Sequence, residues 1–327
     1  HEPSRRQRQM CIRDRAFLPS STVRDNVVNI AKLLNYVPRS INASQATVNL
    51  TVQTIQSSGS YPSTVTLKKG AVATGGNYIW NVLSDTTAEV NSTTGLATFS
   101  NLVLREGSIV NFQYVVNTFA TQNYKVPSED ADINTLTVRV KANESSTTSD
   151  LYNLVDTITG LTATTRVYFL SEGEDMRYEV KFGDDSVGRA LKDGEVVMFE
   201  YLVTSGGDAN DVDNFSYVGR MTDTLSQSYS PAAVTLTKVA RSQNGSAAET
   251  IESIKYNAPR FYSSQYRAVT AGDYAILTKK VYPNADAVVA YGGDSLNPPV
   301  YGKVFVAVKT ATGATLNDQT KKNIAAD

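Results

Sequence analysis

The apolar positions near the start of the chain recur at helical spacing, every three or four residues. Such spacing places the side chains on one face of a helix and predicts an amphipathic helix over residues 21–36. Ser21 or Thr22 is expected to cap its start, and Pro38 prevents its continuation. The four apolar positions that define the face are Val23, Val27, Ile30 and Leu34.

The next stretch alternates apolar and polar side chains from residue 46 to residue 55. A period of two predicts a half-buried β-strand. Short β-type runs broken by Gly, Asn and Ser continue to about residue 140 and predict an antiparallel sandwich or barrel. Residues 141–150 contain no large apolar side chain, which predicts a linker or exposed loop. The strands predicted after the first are 63–67, 77–83, 97–104, 110–116 and 135–140.

A second β-rich block follows, and helices return from about residue 238. Ser246 and Glu249 have the spacing of a capping box, which predicts a helix that ends before Pro259. Thr270 and Asp273 have a similar spacing and predict another helix that continues to residue 283. The remaining predicted elements are strands at 166–170, 177–182, 195–203, 287–291 and 302–309, and a last helix capped by Asn317.

These patterns predict a β-rich α+β protein. An N-terminal helix comes first, antiparallel sandwich-like or barrel-like β modules follow, and a mixed α+β module ends the chain. The expected domains are residues 16–150, a central β module at 151–237 and the α+β module at 238–327.

Composition restricts the chemistry. The 327 residues include 31 basic and 32 acidic side chains, so balanced charge gives no general attraction to nucleic acid or to an anionic membrane. The single Cys (Cys11) and single His (His1) exclude a disulfide within the chain, a Cys/His zinc site and most His-dependent catalysis. The mean hydropathy is −0.25, and no apolar run approaches the ~18 residues of a membrane span.

Both ends are expected to be artificial. Residues 1–15 carry five arginines and are either a disordered basic arm or translated sequencing-adapter read-through, and we favour the second interpretation. The other end stops inside a predicted helix, shortly after Ile324. We therefore expect an internal fragment of a longer protein.

No motif of catalysis emerges. Acidic turns such as 172–175, 184–185 and 208–213 lack the glycine and distal glutamate of a calcium loop, and no Gly-rich stretch is followed by the Lys of a phosphate-binding loop. Two carboxylates could hydrolyse a glycosidic bond, and the 18 tyrosines could stack on sugars. Since these tyrosines lie mostly in β-type runs, packing accounts for them. We predict a non-enzyme without metal, cofactor or small-molecule substrate.

Three segments are more specific. Residues 24–40 read RDNVVNIAKLLNYVPRS. Residues 178–189 read YEVKFGDDSVGR and continue through Leu191, Gly194 and Tyr201 to TSGGDAN at 204–210. The third segment contains ESIKYNAP at 252–259, QYRAVT at 265–270, Asp273, Tyr274, YPN at 282–284, GGD at 292–294 and PPVYGK at 298–303. Together they resemble the baseplate J-like family, and specifically the wedge subunits of T-even-like contractile-tailed bacteriophages.

The resemblance spans roughly residue 23 to the C-terminus and implies a structural role. Such subunits join one another and neighbouring wedge proteins into a ring around the tail tube, in the virion baseplate, and transmit its rearrangement to the contracting sheath. Assembly in the host cytoplasm, with further copies and other wedge proteins as partners, is expected. Asp185 departs from the family, which has a second Gly in its Phe-Gly-Asp-Gly turn; at positive φ an Asp would be strained.

The candidate interface residues are Phe261, Tyr262, Tyr266 and Arg267. Aromatic and Arg side chains are enriched at interfaces, and residues 260–267 hold several of them between two predicted helices. Phe261 and Tyr266 could equally fill the core of the last module. Gly183, Gly188 and Gly207 are predicted to be structural turn residues.

Three other functions remain open. The first is a glycan-binding tail or cell-surface β protein, the second is the equivalent component of a bacterial contractile injection system, and the third is a glycosidase that uses two carboxylates in a cleft. Exposed aromatic clusters on the loops of the β blocks would favour the first.

Overall fold

The predicted β-rich α+β class is confirmed. The computed structural model describes residues 17–57, 59–155, 158, 160–282, 285–310, 321 and 324–325. In that part, one α-helix precedes seventeen strands, two further α-helices and two last strands follow, and the nineteen strands form four sheets. The helices are α1 (Arg24–Leu33), α2 (Ile251–Ser264) and α3 (Ala271–Val281). The strands are β1 (Gln45–Gln53), β2 (Thr64–Leu67), β3 (Gly70–Gly75), β4 (Tyr78–Val82), β5 (Thr86–Glu89), β6 (Leu96–Glu106), β7 (Ser108–Val115), β8 (Tyr124–Lys125), β9 (Ala131–Lys141), β10 (Asp150–Leu154), β11 (Val167–Glu172), β12 (Tyr178–Phe182), β13 (Val196–Val203), β14 (Ser216–Tyr217), β15 (Met221–Asp223), β16 (Ser228–Tyr229), β17 (Val234–Gln243), β18 (Ala285–Gly292) and β19 (Val304–Thr310).

A six-stranded sheet and a four-stranded sheet share the first core. Their strand orders are β14-β3-β4-β6-β1-β17 and β16-β15-β2-β5. The predicted alternation of β1 is confirmed, because Val48, Leu50 and Val52 are fully buried while the residues between them are half-buried. These side chains pack in one cluster with Leu67 of the facing sheet and with Trp80. Alternation along β1 therefore sets which face meets the core.

A seven-stranded sheet encloses the second core, with strand order β7-β13-β9-β10-β11-β12-β8. It is antiparallel apart from β10 and β11, which pair in parallel. The predicted domain boundaries lie at residues 150 and 237. Strands from both sides of residue 150 belong to this sheet, and β17 of the six-stranded sheet extends across residue 237. Where the chain divides into independently folding domains stays a prediction. The predicted loop at 141–150 is confirmed as the connection between β9 and β10.

Helix α1 starts later than the periodicity predicts, and its predicted cap is wrong. Val23 is the N-cap and makes no side-chain capping hydrogen bond. A turn in which the amides of Ser20 and Ser21 both donate to Phe17 precedes it, and Ser21 is fully buried. The turn draws Ser21 inward, away from the helix terminus.

Helix α2 contradicts two predictions. Thr250 caps it by accepting from the amide of Ser253 at 3.3 Å, so the predicted box from Ser246 to Glu249 is absent. The helix also passes through Pro259 and ends at Ser264. Pro removes one amide donor, and the Ser263 hydroxyl donates to the Pro259 carbonyl at 2.9 Å. Packing of α2 on α1 outweighs the local cost of the proline.

The predicted capping box of α3 is confirmed. The Thr270 hydroxyl accepts from the amide of Asp273, whose carboxylate accepts from the Thr270 amide at 2.8 Å. The two strands predicted after α3 are confirmed as β18 and β19, and they pair with each other in antiparallel orientation. Residues 1–15 and Asn317 lie outside the described residues, whereas Ile324 is helical.

The turn after β12 brings two of the predicted glycines together. A Cβ on Gly183 would overlap the carbonyl group of Gly188. Gly188 itself has φ +80, and a Cβ there would lie 2.7 Å from a methyl of Val167. Asp185 has φ +65, the strained conformation expected from its departure from the family, and its carboxylate accepts from the amide of Ala190 at 2.8 Å.

Gly207 differs from these two glycines. It lies in the 3₁₀ turn Gly206–Ala209, and the positive φ of +61 belongs to its neighbour Gly206. A Cβ on Gly207 would approach nothing closer than 3.5 Å. Gly206 is therefore the residue whose conformation this turn requires.

We expect Gly183→Ala to lower the free energy of unfolding by about 3 kcal/mol, because the added methyl would meet backbone that cannot move aside. Gly194→Ala is the matched control: φ there is +79 but nothing lies within 4 Å, so only strain of about 1 kcal/mol is expected. Urea denaturation measures both. Equal losses would contradict the close approach of Gly183 to Gly188.

Candidate interaction site

The four predicted interface residues separate into one buried and three exposed side chains. Phe261 is 4% exposed, so it offers almost no surface to a partner. Tyr262 is 59% exposed, Tyr266 is 40% exposed, and Arg267 is exposed. We call Tyr262, Tyr266 and Arg267 the helix-end surface. Whether it contacts a partner stays a prediction.

Two consecutive left-handed residues create this surface. After Ser264, Gln265 has φ +47 and Tyr266 has φ +59, and the chain reverses there. The reversal turns the Tyr266 ring back onto Phe261, with the ring centroids 4.8 Å apart. Residues other than Gly adopt this conformation at a cost of about 1–2 kcal/mol each, and the ring contact helps to offset it.

Helix α3 and the segment after α1 hold the same two rings. The Lys280 ammonium lies over Tyr266 at 4.5 Å and over Phe261 at 5.0 Å from the ring centres. Tyr36 packs edge-on against Phe261 at 5.6 Å, and Asn35 donates to the Tyr266 hydroxyl at 3.4 Å. Phe261 is therefore an internal anchor for the helix-end surface, which agrees with the core alternative for this residue.

Behind this surface lies a buried ionic junction that the sequence did not predict. The Arg24 guanidinium donates to both carboxylate oxygens of Glu172, at 2.7 and 3.0 Å. It also donates to the main-chain carbonyl of Glu249. Glu172 is 1% exposed. Burial raises the pKa of the Glu172 carboxyl, and the hydrogen bonds and charge of Arg24 oppose that rise.

The Glu249 side chain is the second centre of the junction. It accepts from the Tyr36 hydroxyl at 2.9 Å, from the Arg39 amide at 3.1 Å, from the Ser253 hydroxyl at 2.7 Å and from the Asn257 amide at 2.8 Å. Burial raises the pKa of Tyr36 far above its ordinary value, and the charge of Glu249 raises it further. Glu249 joins the segment after α1 to helix α2.

A cavity of about 670 Å³ opens beside the junction. The segment after α1, the seven-stranded sheet, α2 and α3 all contribute to its wall. Among the described residues, the charged groups of its lining are the carboxylate of Glu249 and the cations of Arg39, Lys279 and Lys280. That carboxylate already accepts hydrogen bonds from four residues.

No group of three or more His, Cys, Asp or Glu side chains is arranged to hold a metal ion within the part of the chain that the structure describes. No helix among the described residues is long and apolar enough to cross a membrane.

Two matches to known proteins were found, one within the last module and one over half of the chain. Residues 270–327 match the family model described as "Baseplate structural protein gp6, C-terminal domain I". A segment of 177 residues is 24% identical to the "Baseplate wedge protein gp6" of Enterobacteria phage T4. The resemblance to a T-even-like baseplate wedge subunit is confirmed. The aligned segment covers 50% of this chain and 26% of the phage T4 protein.

The start of the family match coincides with the start of helix α3. The family match starts at Thr270, the residue that caps α3. Within the described residues the match then includes α3 and the hairpin of β18 and β19. Pro283 and Asn284, which contributed to the resemblance, lie outside the described residues.

We expect Arg24→Met to lower the free energy of unfolding by about 3 kcal/mol, because it leaves the buried charge of Glu172 without a partner. Adding Glu172→Gln should restore part of the loss. Arg166→Met is the matched control, since its pair with Asp150 is about half exposed on both sides, and surface pairs contribute below about 1 kcal/mol. Urea denaturation measures all three, and equal losses for Arg24 and Arg166 would contradict the junction.

Proposed function

We propose that this chain is a structural component of a phage tail baseplate wedge. In this proposal it helps to form the ring scaffold around the tail tube, and it passes the rearrangement of the baseplate to the contracting sheath. The observation that carries the proposal is the match of residues 270–327 to a baseplate structural domain. The role is that of a non-enzyme whose partners are other wedge proteins and further copies of itself, in the virion.

The contacts between the helices and the sheet support a role in transmitting force. Arg24 and Glu249 connect α1 and α2, which are distant in the sequence, to the seven-stranded sheet through partly buried charge-assisted hydrogen bonds. Such bonds are stronger and more directional than neutral ones. A component that transmits a displacement needs connections of this kind between its parts.

The helix-end surface is the part of this proposal that would contact a partner. Its tyrosines and arginine are of the types enriched at protein interfaces. Tyr266 is held in place by Phe261 and Lys280, which reduces the conformational entropy lost on binding.

The test is the mass in solution, by light scattering, of the chain from residue 16 onward. We expect an assembly larger than a monomer, and we expect Tyr262→Ala with Arg267→Ala to lower its mass at a given concentration. Binding of glycans by a protein that stays monomeric would contradict the proposal and favour a glycan-binding tail protein.

The matched control is Tyr256→Ala with Arg260→Ala. These residues are of the same two types, and the Arg260 guanidinium lies 3.6 Å from the centre of the Tyr256 ring. On a helix they are turned by about 120–160° from Tyr262. If the control pair lowers the mass as much as the first pair, the helix-end surface is not the specific contact.

A further inference from the structure

The edge strand β7 lacks the protection that most other edge strands of the described sheets have. Sheet edges are usually blunted by charged side chains, by Pro or by being very short. Three edge strands, β8, β14 and β16, have only two residues each, and the longer β5, β17 and β19 contain Glu89, Lys238 with Arg241, and Lys309. Strand β7 has eight residues, SIVNFQYV, without a charge or a proline.

The backbone shows which groups of β7 are directed outward. The amide of Val116 donates to Glu195, next to β13, at 2.8 Å, so the even-numbered residues of this strand bond toward β13. The odd-numbered residues are directed away. In agreement, Gly107 donates to Ile79 at 3.0 Å, and the Val115 carbonyl accepts from the Gln122 side chain at 2.9 Å.

Those two contacts occupy the two ends of the β7 edge, so a further strand would pair with the middle of it. Asn111 and Gln113 are exposed, and between them Phe112 is 38% exposed at the border of the second core. The Phe112 ring already meets Tyr114, with centroids 5.0 Å apart. An added strand would pair with the outward groups of Asn111 and Gln113 and would cover Phe112.

We propose that the middle of β7 pairs antiparallel with β7 of a second copy of this chain, about a twofold axis at Phe112. This register is self-complementary. It places Asn111 opposite Gln113, an amide against an amide, and Val110 opposite Tyr114, with Phe112 facing its own copy. No like charges meet, and the apolar face of the sheet continues across the axis.

The occupant is a second copy because β7 is uncharged and because its central residues match one another in type when the strand is read in the opposite direction. The inference rests on the proposed function only in that a ring scaffold brings several copies together. The contact involves few residues, and cross-linking is therefore the appropriate probe. It differs from the helix-end surface in place and in test.

The experiment uses the full chain with Cys11→Ser and one new cysteine. Phe112→Cys would face its own copy in a non-hydrogen-bonded pair, with Cα atoms about 4.5 Å apart, within reach of a disulfide. Asn111→Cys is the matched control on the same strand, since its copy would lie about 8 Å away, beyond that reach. Phe119→Cys is the control for exposure, because Phe119 is 91% exposed and lies outside β7.

Under mild oxidation we expect the Phe112→Cys dimer to form at least tenfold faster than either control. Adding Gln113→Pro should abolish the difference, because it removes an outward amide and leaves the hydrogen bonds to β13 intact. Equal rates for Phe112→Cys and Phe119→Cys, or no effect of the proline, would overturn the proposal.

The two proposals fail separately. If the Phe112→Cys dimer does not form preferentially, while the Tyr262→Ala and Arg267→Ala substitutions still lower the mass in solution, β7 pairing alone is rejected. If the Phe112→Cys dimer forms preferentially, but substitution of Tyr262 and Arg267 does not change the mass in solution, β7 pairing is supported and the helix-end surface is not.

Discussion

The pairing of the half-buried Arg24 guanidinium with Glu172 and with the main chain of Glu249 is the contact that links helices α1 and α2 to the seven-stranded sheet. Residues 24 and 249 are far apart in the sequence, and Glu172 ends a strand of the seven-stranded sheet. A half-buried cation with two acceptors from different parts of the chain fixes both at once, because leaving the buried charge of Glu172 unpaired costs several kcal/mol. Apolar packing is less directional. This pairing acts together with the apolar cluster that α1 and α2 share, which includes Val27 and Ile254, to set the position of α1 against α2.

Similar buried acids join the two β cores. Glu106 accepts from the hydroxyl of Thr204 and, at 3.1 Å, from the amide of Ser205. Asp132 is 1% exposed and accepts from the amide of Ala43 at 3.0 Å. Burial raises the pKa of the Asp132 carboxyl, and that hydrogen bond opposes the rise. Carboxylates that appear in the sequence as ordinary acidic residues therefore hold successive parts of this chain together.

Local physics accounts for what the sequence predicted well. Alternation in β1 and the capping box at Thr270 each depend on neighbours within a few residues, and each is found where predicted. The missed features depend on distant partners. Helix α2 continues through Pro259 because α1 packs against it. Glu249 has the spacing of a capping box, but its carboxylate oxygens accept hydrogen bonds from Tyr36 and Asn257 instead.

The candidate site shows the same division. Composition indicated that residues 260–267 hold interface-type side chains, but periodicity could not assign Phe261 inward and Tyr262 outward, since that depends on Tyr36 and on the reversal at Gln265. Strand β17 was missed because its pattern is mostly exposed, and because β1, with which it pairs, lies almost two hundred residues earlier. Long-range pairing, rather than local propensity, determines these features.

Amide hydrogen exchange of Arg24→Met tests most directly whether the junction holds the helices to the sheet as one unit. The account predicts that protection falls together in α1 and α2, while β1 keeps the protection of the unmodified protein. A loss confined to α1, with α2 unchanged, would contradict it, because α2 would then be held in place without the Arg24 junction.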